Sequence, residues 1–384
     1  MARRVKIGFI FWYDTYWIAG PYYVLNIIRS LNTLPDAEKP EISIISNKTD
    51  FKVVEETQYP YLNHFDKNKD HPLPLYKRIA KKVLKNFCDI SRFDKIIDVD
   101  IIFPIIYTKD PYLEDITRNI PSVYWIPDFQ ELYMPELFKA EDLQFRIDNC
   151  KTISKGKNPV VFSSNTVLND YNRNYPNNTT NHIYQFAVFH PEINDIDIKK
   201  LFSQKNIPLK YFFCANQFWQ HKNHTVIFKA LKELKSIQDD IVVVFSGNEN
   251  DNRNTEYIAQ LKAYIIEHNL QDNIRFLGFI DRKEQLVFLA NALAVIQPSL
   301  FEGWSTVVED CKVQNQFIVL SDIPVHKEQI DKNVLFFNPH SSGDLANIMA
   351  NIWNNEPQKD SFYYSEIQER TGIYFKSIIN KILQ

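Results

Sequence analysis

The stretch that decides the fold is Ala292-Leu-Ala-Val-Ile-Gln-Pro-Ser299, which is followed at once by Leu300-Phe-Glu302-Gly-Trp-Ser305-Thr-Val-Val-Glu309-Asp310. Its first half is a continuous apolar run, typical of a strand buried on both faces. A turn then carries Glu302 and Gly303, and Ser305 is a suitable cap for a helix. We therefore predict a strand, a turn and a helix, with acidic side chains on both sides of the helix start.

The same alternation of apolar runs and helical patterns extends along the chain on both sides of this stretch. In the second half we predict buried strands at 211–217, 241–247, 274–280, 292–299, 317–322 and 334–339, with helices at 224–236, 255–269 and 282–291. In the first half we predict strands at 6–14, 41–47, 100–106, 122–128, 159–164 and 182–187, and a first helix over 18–34. Continuous apolar strands that alternate with helices indicate parallel sheets covered on both faces. The predicted fold class is therefore α/β, with two doubly wound, Rossmann-like domains that face a central cleft.

The domain boundaries follow from the polar segments. The segment 190–208 is polar and acidic with prolines at both ends, and we interpret it as the linker region. We predict a first domain over 1–190, a second over 191–360, and a C-terminal helix over 361–384 that packs back on the first domain.

Composition excludes several classes of protein. The chain has 384 residues, of which 45% are hydrophobic and 24% are charged, with a formal net charge of −3. These values are typical of globular proteins, and no bulk positive charge indicates a nucleic-acid partner. No apolar run is long enough to span a bilayer, and the N-terminus does not resemble a secretion signal. The four cysteines lack metal-ligand spacing, so we expect free thiols and a cytoplasmic protein.

Three loops that follow strands are candidate binding elements, because ligands of doubly wound sheets bind beyond the carboxyl ends of the strands. The first is the acidic stretch 299–310. The second is Asn216-Gln-Phe-Trp-Gln-His-Lys222-Asn-His224, where a lysine near a helix start suits a phosphate. The third is Trp17-Ile-Ala-Gly20-Pro21, where glycine allows a close approach of the backbone. Taken singly, each loop also fits solvated surface residues.

Together these stretches resemble a known family. The segment 299–310, with Phe317-Ile-Val-Leu-Ser-Asp-Ile-Pro-Val-His-Lys-Glu-Gln329 and the Asn216–His224 loop, is similar to the retaining nucleotide-sugar glycosyltransferases of family 4, also called group 1, which have the GT-B fold. In the first half, Tyr124-Trp-Ile-Pro-Asp128-Phe-Gln130 and Val161-Phe-Ser-Ser-Asn165 are similar to a bacterial surface-polysaccharide branch of that family. The resemblance is strongest over 211–330.

The resemblance implies a set of roles. Glu309 would bind the ribose hydroxyls, Glu302 would lie near the donor sugar, and Lys222 would bind the diphosphate. Backbone at Phe279 and Ile280 would meet the base, and Gly20 would lie against the phosphates from the other domain. The implied catalytic residues are Lys222, Glu302 and Asp128. The remaining implied donor contacts are Asn216, Gln217, Gly303, Trp304, Ser305 and Thr306. No metal or cofactor is implied, since the nucleotide sugar is a co-substrate and the leaving phosphate would itself accept the proton of the acceptor.

Two positions depart from the family pattern. The acids are usually separated by seven residues, and that spacing leads from Glu302 to Asp310, whereas Glu309 is one residue nearer. Asp310 therefore stays an alternative for the ribose contact. The arginine expected shortly before Lys222 is replaced by Gln217, so another cation is needed beside the phosphates.

Two further patterns leave alternatives open. Asp98-Val-Asp100 is a possible metal-binding pair, although it precedes an apolar run instead of following one. Residues 74–87 form a predicted amphipathic helix with cations on one face, which fits either an anionic membrane surface or a solvated domain helix.

The expected function is sugar transfer from a nucleotide donor to a growing, lipid-linked cell-surface glycan. The protein would act in the cytoplasm or on the inner face of the cell membrane. The rival functions are a sugar-nucleotide epimerase or hydrolase, and a non-catalytic sugar-nucleotide-binding partner.

Overall fold

The computed structural model describes residues 3–14, 17–66, 97–106, 120–249, 251, 254 and 256–384. Its first sheet has seven parallel strands in the order β3-β2-β1-β4-β5-β6-β7. These strands are β1 (Lys6–Ile10), β2 (Glu41–Ser46), β3 (Leu62–Asp66), β4 (Ile101–Ile105), β5 (Ser122–Ile126), β6 (Val160–Phe162) and β7 (Asn181–Ile183).

The second sheet has six parallel strands in the order β10-β9-β8-β11-β12-β13. These strands are β8 (Phe212–Ala215), β9 (Val243–Ser246), β10 (Ile274–Phe276), β11 (Ala294–Gln297), β12 (Ile318–Ser321) and β13 (Val334–Phe337). In each sheet the chain first adds strands on one side of the starting strand and then on the other. That reversal creates a crevice beside β1 and another beside β8, at the carboxyl ends of the strands.

Helices cover both sheets. In the described residues they are α1 (Ala19–Asn32), α2 (Lys48–Glu55), α3 (Gln130–Tyr133), α4 (Ala140–Lys155), α5 (Asn165–Asn174), α6 (Ile198–Lys205), α7 (His224–Leu234), α8 (Tyr257–Glu267), α9 (Arg282–Asn291), α10 (Thr306–Val313), α11 (Pro324–Gln329), α12 (Ser342–Asn354) and α13 (Tyr364–Leu383). The prediction of two doubly wound domains is therefore confirmed.

Sequence analysis did not predict β3 or the helices α2, α3, α4, α5, α6, α11 and α12, and α6 lies within the segment 190–208 that was interpreted as the linker. The strand β3 reads Leu-Asn-His-Phe-Asp, and its polar residues interrupt any apolar run. Within α4 only three residues are buried, so the helical pattern of apolar side chains is weak there.

The C-terminal helix α13 returns to the first domain, as predicted. Phe375, Ile378 and Ile379 belong to the core that also contains the buried face of α1. A Cβ on Gly372 would lie 2.2 Å from the carbonyl oxygen of Ser30, so only a glycine permits this approach of the two helices. The boundaries at 190 and 360 stay predictions.

Of the two further sequence patterns, one lies outside the described residues and the other lies away from the cleft. The predicted helix 74–87 lies outside them. Asp98 and Asp100 precede β4, at the sheet edge opposite the carboxyl ends, and they pair with Lys6 and Arg3. Within the described part of the chain, we find no helix with the length and apolar character needed to cross a membrane.

His224 is a buried histidine at the start of α7 in the core of the second domain. Its ring stacks on Phe218 with 4.1 Å between centroids, and among the described residues neither ring nitrogen has a partner that meets hydrogen-bond geometry. Burial, and then the charge of Lys222, lower the pKa of His224 to about 3. The folded protein therefore holds this imidazole neutral at pH values where the unfolded chain is protonated.

We expect Gly372→Ala to lower the free energy of unfolding by about 1–3 kcal/mol, because the added methyl group displaces α13 from α1. Gly343→Ala is the matched control, since its Cβ would meet only the side-chain oxygen of Glu233, at 3.4 Å. Urea unfolding of both variants measures the difference. Equal stability of the two variants would contradict this account of the helix contact.

We expect acid to destabilise the protein partly through His224. Because the folded pKa lies below the ordinary value of 6.5, this contribution is complete above pH 6.5 and is lost as the pH falls towards 3. When the pH is lowered from 7 to 5, the free energy of unfolding should decrease by about 2 kcal/mol less in His224→Phe than in the wild type. His340→Phe, at an exposed position, should show the same pH dependence of the free energy of unfolding as the wild type. The same pH dependence in all three proteins would exclude this role of His224.

Candidate functional site

A cavity of about 350 Å³ lies between the two domains. The first domain contributes residues that follow β1 and begin α1, and the second contributes the ends of β8, β9 and β11 and the starts of α9 and α10. Its lining residues are Tyr13, Ile18, Ala19, Tyr22, Ala215, Asn216, Gln217, Trp219, Lys222, Ser246, Gly247, Phe279, Ile280, Asp281, Arg282, Gln285, Gln297, Glu302, Trp304, Ser305, Thr306, Val307 and Asp310. The cavity therefore occupies both of the crevices that the sheet topology creates.

Lys222 and Glu302 form an ion pair in this cavity. The Nζ of Lys222 lies 2.6 Å from Oε1 of Glu302, and the side chains are 15% and 10% exposed. Ser299 Oγ and Gln297 Nε2 also donate to that oxygen, at 2.7 and 2.8 Å. Burial alone would raise the pKa of Glu302, but Lys222 outweighs it and holds that pKa below its usual value. Glu302 is therefore a fixed anion, and Lys222 is a cation held beside it.

Amide side chains position the start of α10. Asn216 Nδ2 donates to Gln297 Oε1 at 2.7 Å, which orients the Gln297 amide towards Glu302. Ser305 is the residue before the helix, as predicted, but its hydroxyl does not cap the helix. Instead the Gln329 amide accepts from Ser305 N at 3.1 Å and donates to Ser305 O at 2.7 Å. The hydroxyl of Ser305 instead accepts from Gln297 Nε2 at 3.4 Å, and Ser305 lines the cavity.

Asp310 forms the second ion pair that lines the cavity. Its Oδ1 accepts from Arg282 and contacts His190 Nε2 at 2.9 Å. Burial would raise the pKa of Asp310, but Arg282 and His190 outweigh this effect and lower it. No donor to Oδ2 is found among the residues that the structure describes, and Asp310 is only 1% exposed.

Glu309 points away from the cavity and does not line it. Its Oε1 accepts from Lys312 at 3.0 Å and from Gln329 at 2.9 Å, and its Oε2 accepts from Tyr364 at 2.6 Å. The residue is only 1% exposed. Both oxygens of Glu309 are therefore used inside the protein.

Gly303 marks a close contact between the two domains. A Cβ at Gly303 would lie 2.3 Å from the carbonyl oxygen of Pro127 and 3.0 Å from Cβ of Asp128. Neither Gly303 nor Asp128 lines the cavity. Burial raises the pKa of Asp128, and the negative charge of Glu302 adds to the rise while Arg146 opposes it. The Asp128 carboxyl is thus an acidic group on the first-domain side, near Glu302.

The structure brings together most of the other predicted donor contacts. Asn216, Gln217, Phe279, Ile280, Trp304 and Thr306 line the cavity. Gly20 does not line it: Gly20 is buried in the first turn of α1, where a Cβ would lie 2.4 Å from the Trp17 ring. The absence of a side chain at Gly20 therefore makes room for Trp17.

Sequence reasoning missed several residues of this site, and three of them have polar side chains that bear on its chemistry. Arg282 and Gln297 were not singled out, although each lies at the end of a predicted strand or the start of a predicted helix. Ser246 ends β9 directly before a glycine, and no partner for its buried hydroxyl is found among the described residues. Trp304 was among the predicted donor contacts, and its Nε1 likewise has no hydrogen-bond partner among the described residues. Both groups can donate a hydrogen bond to a ligand in the cavity.

Two Rossmann-like domains that enclose a polar cavity between their switch points, with a C-terminal helix crossing back, are the GT-B architecture. Residues 195–369 match the family model "Glycosyl transferases group 1". This match covers the second domain and the start of α13, and over this segment the chain is similar to group 1 glycosyltransferases. The resemblance found in the sequence is thereby confirmed.

Comparisons with individual proteins agree with this family match. The O-antigen chain mannosyltransferase RfbU of Salmonella typhimurium strain LT2 is 24% identical over 228 residues, and the match spans 59% of each chain. The Anabaena protein Alr3699/HepE in complex with UDP and glucose superposes with a TM-score of 0.65 at 16% identity, covering 99% of both chains. Sucrose-phosphate synthase of Thermosynechococcus elongatus superposes with a TM-score of 0.64 at 14% identity, covering 99% of this chain and 96% of its own. At these identities the structural likeness establishes the fold.

Proposed function

We propose that the protein is a retaining glycosyltransferase that moves a sugar from a nucleotide-diphosphate donor to a growing, lipid-linked cell-surface glycan. The observation that carries the proposal is a pair of cation–carboxylate contacts, Lys222–Glu302 and Arg282–Asp310, around the start of α10 in the interdomain cavity. Such a site offers acceptors for hydroxyl groups and positive charge for phosphates. The group 1 match and the O-antigen relative support the same class of reaction.

The donor diphosphate would bind at the start of α10. The helix N-terminus favours anions, and the N–H groups there have no acceptor within the helix. Lys222 would neutralise charge that develops on the leaving diphosphate, without a metal. Arg282 is the other cation that lines the cavity among the described residues, and we propose that it supplies the charge that Gln217 lacks.

The ribose would be bound by Asp310. Asp310 lines the cavity and none of the described residues donates to its Oδ2, whereas Glu309 uses both oxygens elsewhere. The base would meet Phe279 and Ile280. Phe279 is 66% exposed, so its ring is accessible from the cavity.

The acceptor would approach from the first domain. Asp128 lies on that side, close to the Glu302 carboxylate, and we propose that it contacts the sugar or the acceptor hydroxyl. A lipid-linked acceptor would require contact with a membrane. The basic amphipathic pattern of residues 74–87 suits an anionic surface, and this part of the proposal rests on sequence alone.

Donor binding and donor consumption test the function. UDP and GDP, each at 100 times its Kd, should raise the unfolding free energy by about 2.7 kcal/mol if bound, which a thermal-shift measurement detects. Nucleotide release from the matching nucleotide sugar should require an acceptor glycan and should survive a chelator. Release without an acceptor indicates an epimerase or hydrolase, and binding without release indicates a non-catalytic partner. A strict need for a divalent metal would contradict the proposed mechanism.

We expect Lys222→Ala to lower kcat at least tenfold while raising the Kd of the nucleotide much less, because its charge matters most as the diphosphate leaves. Lys229→Ala, an exposed change in α7, is the control and should leave both constants unaltered. Steady-state kinetics with calorimetric binding separate the two constants. A raised Kd at unchanged kcat would show that Lys222 only binds the donor.

Asp310→Asn and Glu309→Gln form a matched pair of buried acid-to-amide changes. A hydrogen bond to a charged group contributes about 1.5–3 kcal/mol, so Asp310→Asn should weaken nucleotide binding roughly 10- to 100-fold. Glu309→Gln should mainly lower the melting temperature, since its carboxylate joins α10 to α13. Calorimetric titration and thermal melts of both variants test this. The opposite pattern returns the ribose role to Glu309.

A further inference from the structure

Glu328 in α11 accepts several hydrogen bonds from the opposite domain. Its Oε1 accepts from Asn165 N at 2.7 Å, from Asn165 Nδ2 at 2.8 Å and from Gln185 Nε2 at 2.6 Å. Its Oε2 accepts from Thr166 N and from Thr166 Oγ1, both at 3.0 Å. All five donors belong to the first domain, whereas α11 lies between β12 and β13 of the second. One carboxylate therefore gathers five hydrogen bonds from the opposite domain.

This contact satisfies groups that have no other acceptor within α5. Asn165 and Thr166 are the first residues of α5, and the N–H groups of a first helical turn have no acceptor inside the helix. An anion placed there is also stabilised by the helix dipole. Hydrogen bonds to a charged acceptor are stronger than those between neutral groups. The contact thus favours the closed arrangement of the domains, and opening would expose these N–H groups to water.

The residue next to Glu328 connects the same helix to the proposed donor site. Gln329 binds both backbone groups of Ser305 and the carboxylate of Glu309. In a helix this short, a shift of Glu328 must also shift Gln329. The position of Ser305, at the cavity wall, is therefore linked to whether the domains are held together at α5.

We propose that Glu328 is a positioning residue that holds the two domains closed over the cavity and, through Gln329, sets the start of α10. The link to sugar transfer rests on the proposed function, but the interdomain contact does not. Glu328 does not line the cavity and would not touch the donor.

Hydrogen exchange at Asn165 and Thr166 tests the contact directly, because Glu328 is the acceptor that protects both amides. In Glu328→Gln these amides should exchange at least tenfold faster than in the wild type, while β6 is unchanged. Lys327→Gln is the matched control: this exposed neighbour pairs with Asp322 inside the second domain, and its loss should leave the amides protected. If Glu328→Gln is unstable, Thr166→Val provides a second test. It removes only one side-chain donor, so hydrogen exchange at these amides should be accelerated less. Unaltered exchange in Glu328→Gln, or equal acceleration in Lys327→Gln, would overturn the proposal.

The positioning role needs a second measurement. Saturation with UDP or GDP, whichever raises the melting temperature, should slow exchange at Asn165 and Thr166 in the wild type but not in Glu328→Gln. In turnover, Glu328→Gln should lower kcat about tenfold and change the nucleotide Kd less than threefold, because most of the cavity wall belongs to the second domain. A merely structural role predicts a lower melting temperature with kcat unchanged, and that result would refute the positioning role. If no nucleotide binds, the proposed function fails while the exchange result still decides the contact.

Discussion

The structure depends on the pairing of three buried carboxylates that lie within nine residues of one another. Glu302, Glu309 and Asp310 all surround the start of α10, and an unpaired charge buried in this way would cost several kcal/mol. The partners come from different parts of the chain: Lys222 from the loop after β8, Arg282 from the start of α9, His190 from the segment between the domains, and Tyr364 from α13. Because each partner must reach α10, these charges fix the relative positions of the loops that form the cavity.

The three acids divide two tasks between them. Glu302 and Asp310 face the cavity, and each is held by a cation that also lies at its wall. Glu309 instead connects α10 to the C-terminal helix and to Gln329. Neighbouring helical residues point in directions about 100° apart, so the adjacent acids Glu309 and Asp310 reach different partners. The shift of one residue between Glu309 and Asp310 is therefore enough to separate a carboxylate at the cavity wall from one that is used inside the protein.

Local patterns were sufficient to predict the two sheets and most of the cavity loops, because buried parallel strands have continuous apolar sequences and their carboxyl ends meet at one edge. The resemblance added Phe279, Ile280 and Trp304, which local pattern alone would not have selected. The direction in which Glu309 points could not be predicted, because it depends on Tyr364 and Gln329, which are distant in sequence. The same holds for Glu328, whose partners at α5 are separated from it by more than 140 residues. Hydrophobic periodicity carries no information about such pairs.

The hydroxyl of Tyr364 also has a mechanical consequence. The chain passes between the domains near Val188 and passes back near Tyr364, and Val188 N donates to that hydroxyl at 3.0 Å while Gln368 Nε2 donates to Val188 O at 2.8 Å. These hydrogen bonds therefore hold the two segments that connect the domains next to each other. Two bodies joined along one such line can rotate about it but cannot slide or twist freely. We therefore expect an opening motion of the domains to pivot near this junction.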